Sequence, residues 1–286
     1  MDELLILTPD VSDAAAILPL AYGSTPWSMG VENLLRMQPS EVCRWTNPAL
    51  AGCYLDLGSL QPVDTVWLGY HGARPSAPSS AWKVQSADSL DDLIDEAPSF
   101  DSGWLPMPSA DPDLYDGRTH ELFRLPAEVT ARFWAIRFDF PSSEDALPSG
   151  YFEAGRLVLG RAYRPAAGVE YGAQLGVSEQ PQELQSEGGQ VYLRGRAKRR
   201  WMRLSWAADS EQSAHDDALR LARQRGASRE MVVCSKANGS PAAVMARTVY
   251  GVADEPLLVS ILGYNTFTVD LTVRENLRQA VQPIQD

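Results

Sequence analysis

Long apolar runs are missing from this 286-residue chain. No stretch approaches the roughly 18 to 20 consecutive apolar residues that cross a bilayer as a helix, which excludes a helical membrane protein. The opening residues, Met1-Asp2-Glu3-Leu4-Leu5-Ile6-Leu7, are acidic where a secretory signal is basic, so the chain is expected to be made and folded in a cytosol. Cysteine is scarce as well. Cys43, Cys53 and Cys234 cannot all pair with one another and none stands in a Cys-x-x-Cys spacing, so they read as small buried hydrophobes rather than zinc ligands or redox centres. His71, His120 and His215 lie far apart with no second histidine at i+4, and read as surface or structural residues rather than metal ligands. There is no Gly-x-Ser-x-Gly elbow, no P-loop and no dinucleotide fingerprint, and no pair of carboxylates is marked out for glycoside hydrolysis. These absences predict a non-enzyme, with no catalytic residues and no bound cofactor.

Charge and turn residues are what the chain has in quantity. Residues 1–160 hold 9 Lys and Arg against 23 Asp and Glu, a balance of −14, whereas residues 161–286 hold 16 against 14. The acidic half repels nucleic acid, which is therefore not expected as a partner. A length of 286 residues favours two units, each with its own core. In the first 160 residues, short apolar runs alternate with Pro, Gly, Ser and Asp clusters, the pattern of an antiparallel sandwich rather than of βαβ units. Strands are predicted at Cys53 to Gly58, Val63 to Tyr70, Trp82 to Ser86, Phe133 to Phe138 and Tyr151 to Leu159. In the last of these Phe152, Ala154, Leu157 and Leu159 are the packing candidates. Two polar stretches, 88–102 and 106–119, read as loops, and Asp91 to Asp95 is taken as part of a solvated acidic loop in preference to a helical turn.

The boundary is placed near 160–165, where Pro165 and Gly168 interrupt any strand, giving units 1–160 and 161–286. In the second unit, Asp209 to Arg225 is the one main helix: Asp209 caps, Gln212 sits at N3, arginines come late and Gly226 stops it. Ala214, Ala218, Leu221 and Ala222 share a face that suits packing on a sheet. Strands are predicted at Val191 to Leu193, Trp201 to Trp206, Met231 to Cys234, Val244 to Tyr250, Leu257 to Leu262 and Thr266 to Val273. The fold class is thus mostly β, an N-terminal antiparallel jelly-roll sandwich followed by a C-terminal α+β domain.

The runs Tyr54-Leu55-Asp56-Leu57-Gly58, Val63-Asp64-Thr65-Val66-Trp67-Leu68, Trp82 to Asp88 and Ala131 to Phe138 occur in an order that resembles the galactose-binding-like (discoidin) jelly roll. More narrowly, Glu32-Asn33-Leu34-Leu35, Arg44-Trp45, Gly69-Tyr70-His71-Gly72, Asp101-Ser102-Gly103-Trp104, Leu159 to Pro165 and Ser186 to Tyr192 resemble phrases in bacteriophage tail proteins that carry such a domain. The resemblance implies a non-catalytic virion structural component of a tail or tail tip that mediates ring or hub assembly. It would be made in the bacterial host cytoplasm and reside in the virion, with other tail proteins and further copies of itself as partners. Where such tail proteins often have a His-Asn pair, this chain has His71-Gly72, and no discoidin ligand loop can be matched residue by residue. The alternative is a carbohydrate-recognition protein that holds a host glycan in the jelly-roll loops.

Two features bear on that choice. Among the eight tryptophans, Trp27, Trp45, Trp67, Trp82 and Trp104 offer candidate stacking surfaces for a sugar, although Trp67 and Trp82 fall inside predicted strands and suit the core better. The basic run Arg194, Arg196, Lys198, Arg199, Arg200 and Arg203, with Trp201 inside it, is the candidate interface. It reads either as a docking strip for an acidic partner surface or for nucleic acid, the acidic first half favouring protein over DNA, or as a solvated hairpin whose arginines guard a sheet edge.

Overall fold

The structure, a computed structural model, describes residues 2–20, 27–110, 119–141, 143–170, 172–179, 182–185, 190–194, 198–208, 218–225, 228–255, 257–263 and 266–276. Its strands in chain order begin with β1 (Leu5–Leu7), β2 (Ala16–Pro19), β3 (Trp27–Met29), β4 (Cys43–Trp45), β5 (Gly52–Gly69) and β6 (Ser80–Ala87). They continue with β7 (Phe100–Asp101), β8 (Leu105–Met107), β9 (His120–Asp139), β10 (Phe152–Ala154), β11 (Arg156–Gly160) and β12 (Gln174–Ser178). The last are β13 (Gln182–Gln185), β14 (Val191–Arg194), β15 (Arg199–Ala208), β16 (Glu230–Cys234), β17 (Thr248–Ala253), β18 (Leu258–Gly263) and β19 (Thr266–Glu275). The helices are short: α1 (Asp10–Asp13), α2 (Leu90–Ile94), α3 (Ser143–Ala146), α4 (Leu219–Arg225) and α5 (Pro241–Ala246). Among the described residues no helix is long and apolar enough to cross a membrane.

The first sheet is antiparallel, in the order β11-β5-β9-β6-β7, with β2 also on β5 and β8 also on β6. Its central pair is unusually long. The start of β5, Gly52 to Asp56, pairs with Phe133 to Arg137 of β9, and its end, Gln61 to Gly69, pairs with His120 to Ala131. The register shifts between Asp56 and Gln61, where Gly58 adopts φ +75° and its amide donates to Asp56 Oδ1 at 2.8 Å. A left-handed backbone at that point costs glycine little and lets the strand bend. The bend turns both halves of the pair onto one core, in which Leu55 and Leu57 meet Val63, Val66, Leu68, Trp134, Ile136 and Leu159. A smaller sheet, β10-β4-β3, closes one end. There Phe152 lies 5.3 Å from the Trp45 ring and 4.7 Å from that of Phe138. This is the expected mostly-β jelly-roll sandwich.

The second sheet runs β1-β16-β17-β19-β15-β12, with β18 also on β19. Alternation gives it two apolar faces. Trp206, Met231, Val233, Val249, Phe267, Val269, Leu271 and Val273 pack with Ala218 and Leu221 at the α4 end. On the other side Val232, Cys234 and Tyr250 pack with Trp67, Tyr70, Val158 and Ala162, so the two sheets share a core. Trp67 and Tyr250 stack at 5.1 Å. Strand β1 belongs to this second sheet, since Leu5 to Leu7 pair with β16 although they precede residue 160. Arg156, fully buried, fastens the junction: its guanidinium donates to Glu230 Oε1 at 2.8 Å and to the Leu34 carbonyl at 3.3 Å, and meets Asp13 of α1.

Several expectations need correction. Asp91 to Asp95 is not simply loop, because Ser89 caps α2, its hydroxyl accepting from the Asp92 amide at 3.2 Å. Tyr151 to Leu159 is two strands, split at Gly155 where a Cβ would stand 2.6 Å from the Pro39 carbonyl oxygen. Val244 to Tyr250 begins as helix α5, capped by Ser240 with Pro241 in the first turn, and becomes strand only at Thr248. For the main helix, α4 covers Leu219–Arg225, and residues 209–217, which include the expected Asp209 cap, lie outside the described residues.

Candidate functional site

Strand β6 alternates, burying Trp82, Val84 and Ser86 and leaving Lys83 partly exposed on the opposite side, with Gln85 two residues on. Next to it, β7 and β8 are joined by residues 102–104, and this connection is pinned to β6. The Val84 amide donates to Ser102 Oγ at 3.0 Å, and the Ser102 amide donates to the Val84 carbonyl at 3.0 Å. Gly103, at φ +67°, then reverses the chain while its amide donates to Asp101 Oδ1 at 2.7 Å. The consequence is that Trp104 is pushed outward and stays 51% exposed.

Polar groups converge beside that ring. Lys83 Nζ lies 5.0 Å from its centroid and 3.5 Å from Asp101 Oδ2. Gln85 Nε2 donates to the same carboxylate oxygen at 2.7 Å. Partial burial works against the Asp101 charge, but the Gly103 amide, Gln85 and Lys83 outweigh it and hold the pKa below the ordinary value for aspartate. The site therefore combines an aromatic surface, a fixed anionic acceptor and an ammonium donor. Across the strand from Lys83 stands Arg137, which donates to the Leu93 carbonyl at 2.7 Å and so ties α2 to the same face.

The other tryptophans named from sequence are placed differently. Trp45, Trp67 and Trp82 are buried, as are Trp134 and Trp206, and the Trp27 side chain lies outside the described residues. Trp104 was legible as a candidate. Its polar neighbours were missed, although the phase of Lys83, opposite to Trp82 and Val84 in the Trp82 to Ser86 alternation, was a signal for one of them; Gln85 shares that phase but is buried.

Of the basic run, the side chains of Lys198, Arg199, Arg200 and Arg203 are described. Arg196 lies outside the described residues, as does the side chain of Arg194 at the end of β14. Lys198, Arg199 and Arg203 are exposed. Arg200 turns inward: its backbone amide donates to Glu275 Oε2 at 2.8 Å, and its guanidinium to Oε1 at 3.0 Å and 2.9 Å. Glu275 is fully buried, so Arg200 serves the fold.

Of the three histidines, His71 and His120 are buried, and His215 lies outside the described residues. His71 and Glu121 meet at 3.2 Å with side chains 0% and 3% exposed, and Glu121 also accepts from the Ser109 amide at 2.9 Å. His120 is buried near Trp67. The three cysteines are buried and unpaired in disulfides, and burial pushes the Cys53 thiol up to about 12. Among the described residues no group of three His, Cys, Asp or Glu side chains is placed to hold a metal ion.

No family model matches the sequence, and no curated protein matches it. Solved structures do. One is a carbohydrate-binding module, CBM32-1, from a family 31 glycoside hydrolase of Clostridium perfringens, at 9% identity over 54% of this chain and 96% of that one, TM-score 0.34. Another is the family 32 module of C. perfringens NanJ in complex with galactose, at 7% identity over 54% and 98%, TM-score 0.34. The lectin domain of Lectinolysin complexed with Lewis B antigen matches at 12% identity over 55% and 100%, TM-score 0.32.

Proposed function

We propose that this chain is a non-catalytic binding protein whose jelly roll holds a carbohydrate against Trp104. The observation that carries the reading is the half-exposed Trp104 ring set beside Lys83, Asp101 and Gln85. A pyranose has one face of C–H groups, which suits an aromatic surface, and a rim of hydroxyls, which suits a carboxylate acceptor and an ammonium donor. Because Lys83, Gln85 and the Gly103 amide already fix Asp101, little ordering is lost when a ligand arrives. A monosaccharide of about 12 non-hydrogen atoms at about 0.3 kcal/mol each gains roughly 4 kcal/mol, which corresponds to a Kd near the millimolar range. A longer glycan or several copies of the chain would raise this by multivalency. A glycan array probed with the whole chain tests the reading: binding to at least one pyranose-terminated glycan, lost in Trp104→Ala, is expected. A blank array, or one unchanged by the substitution, contradicts it.

A second reading, a structural component of a bacteriophage tail or tail tip with other virion proteins as partners, is favoured by one specific feature. Among the described residues strand β12 ends its sheet, with Leu175 and Val177 exposed, an edge suited to assembly. Division of the chain near residue 160 into a binding unit and an assembly unit belongs to this reading. The chain should then be found in purified virions, and its absence from them would remove the reading while leaving the first intact.

A further inference from the structure

Among the described residues, strand β12 is the last strand of its sheet, paired on one side with β15, and it carries no charged residue, proline or bulge of its own. Edges of soluble sheets are ordinarily blunted by such devices, so an unguarded one asks for a partner. The two faces at this edge differ. Leu175 and Val177 stand opposite Met202 and Arg200 on the face that leads into the core, and they are 48% and 57% exposed. On the other face Ser178 and Gln174 stand opposite Arg199 and Arg203, both exposed, with Trp201 lying over Gly176 between them. A partner for this edge needs an apolar anchor and negative charge together.

The same chain carries that combination elsewhere. From Val84 to Gly117 there is no Lys or Arg. Within that stretch, α2 is anchored by Leu93 on the first sheet and turns Asp91, Asp92, Ile94, Asp95 and Glu96 outward, Ile94 being 45% exposed. In its own molecule α2 packs on β6 and β9, away from β12. We propose that the β12–β15 edge docks the acidic α2 surface of a second copy of this chain, head to tail. Asp91 and Asp95 meet Arg199 and Arg203, and Ile94 covers Leu175 and Val177. The contact is heterologous, so each copy keeps one free α2 surface and one free edge, and association continues until the rotation closes a ring. The charges orient the encounter and the apolar residues hold it. This inference is independent of the Trp104 reading.

The test is sedimentation velocity of the whole chain over a dilution series at low and at physiological salt. The parent is expected to associate with concentration, and Arg199→Glu/Arg203→Glu and Asp91→Lys/Asp95→Lys each to weaken association about tenfold at low salt and less at high salt. Combining the four substitutions restores the charge pairing and is expected to recover most of the association. Val177→Ser, which leaves every charge in place, is expected to weaken it at both salts. A parent that stays monomeric at all concentrations overturns the proposal and leaves the edge to a different macromolecule. So do single-surface reversals that change nothing, or a combined variant no better than either alone.

Discussion

Replacing Arg156 by methionine is the substitution whose cost can be worked out most fully. The side chain is fully buried at the junction of α1, β11 and β16, where its guanidinium meets Asp13, Glu230 and the Leu34 carbonyl. Methionine fills a similar volume but donates nothing. Asp13, 40% exposed, can turn to water, so its loss is small. Glu230, 5% exposed, cannot, and is left as an uncompensated buried carboxylate. Removing one partner of a buried pair costs about 3–5 kcal/mol. That is a large part of the roughly 5–15 kcal/mol by which a folded domain is stable. Urea unfolding followed by tryptophan fluorescence measures it, with Arg199→Met, on the exposed face of β15, as the control expected to lie within about 0.5 kcal/mol of the parent. A second substitution, Glu230→Gln, introduced together with Arg156→Met, removes the stranded charge and is expected to recover part of the loss. An Arg156→Met variant as stable as the control, or a double variant less stable than the single one, would refute the reasoning.

Two further outcomes follow from the packing. Burial disfavours the charged form of His120, and the nearby Arg200 and His71 add to it, so its pKa lies well below the ordinary value near 6.5, with a hydrogen bond to the Met245 backbone opposing weakly. Because the folded pKa is the lower one, the stabilising contribution is complete above about pH 6.5 and is lost as the pH falls below it, so the thermal midpoint should drop between pH 7.5 and 5. The drop should be smaller in His120→Asn, and a pH response identical in the two proteins would count against it. At Gly251 an added Cβ would stand 1.9 Å from the Arg274 carbonyl oxygen of the facing strand, so Gly251→Ala should cost about 1–3 kcal/mol in the same urea assay. No loss there would mean that β17 and β19 lie farther apart than described.

What could be read from the sequence was mostly local. The alternation of Phe267, Val269, Leu271 and Val273 announces β19, and all four are buried. Phe152, Ala154, Leu157 and Leu159 were rightly assigned to the core, but the break at Gly155 depends on the approach of Pro39, which no periodicity records. The two strand pieces around Gln61-Pro62 form one bent strand because β9 continues alongside both. Leu5 to Leu7 gave no sign of pairing with residues more than 220 positions away. Arg156 lies inside the strand expected from Tyr151 to Leu159 with nothing to mark it out, because its burial depends on three partners scattered over the chain. At the site, Trp104 was visible as a candidate. Its polar setting was not, since Lys83 and Asp101 are brought together by the pairing of β6 with β7. The basic run was conspicuous, but only pairing with Glu275 separates Arg200, which is internal, from Arg199 and Arg203, which are exposed.

The most direct test of the carbohydrate reading is the amide and indole nitrogen–proton spectrum of the whole chain during titration with an array-positive pyranose. One indole signal, absent from the spectrum of Trp104→Phe, is expected to move progressively with ligand, while the indoles of the buried Trp45, Trp67, Trp82, Trp134 and Trp206 stay in place. A titration that moves no indole, or one in which the moving signal persists in Trp104→Phe, would contradict the account.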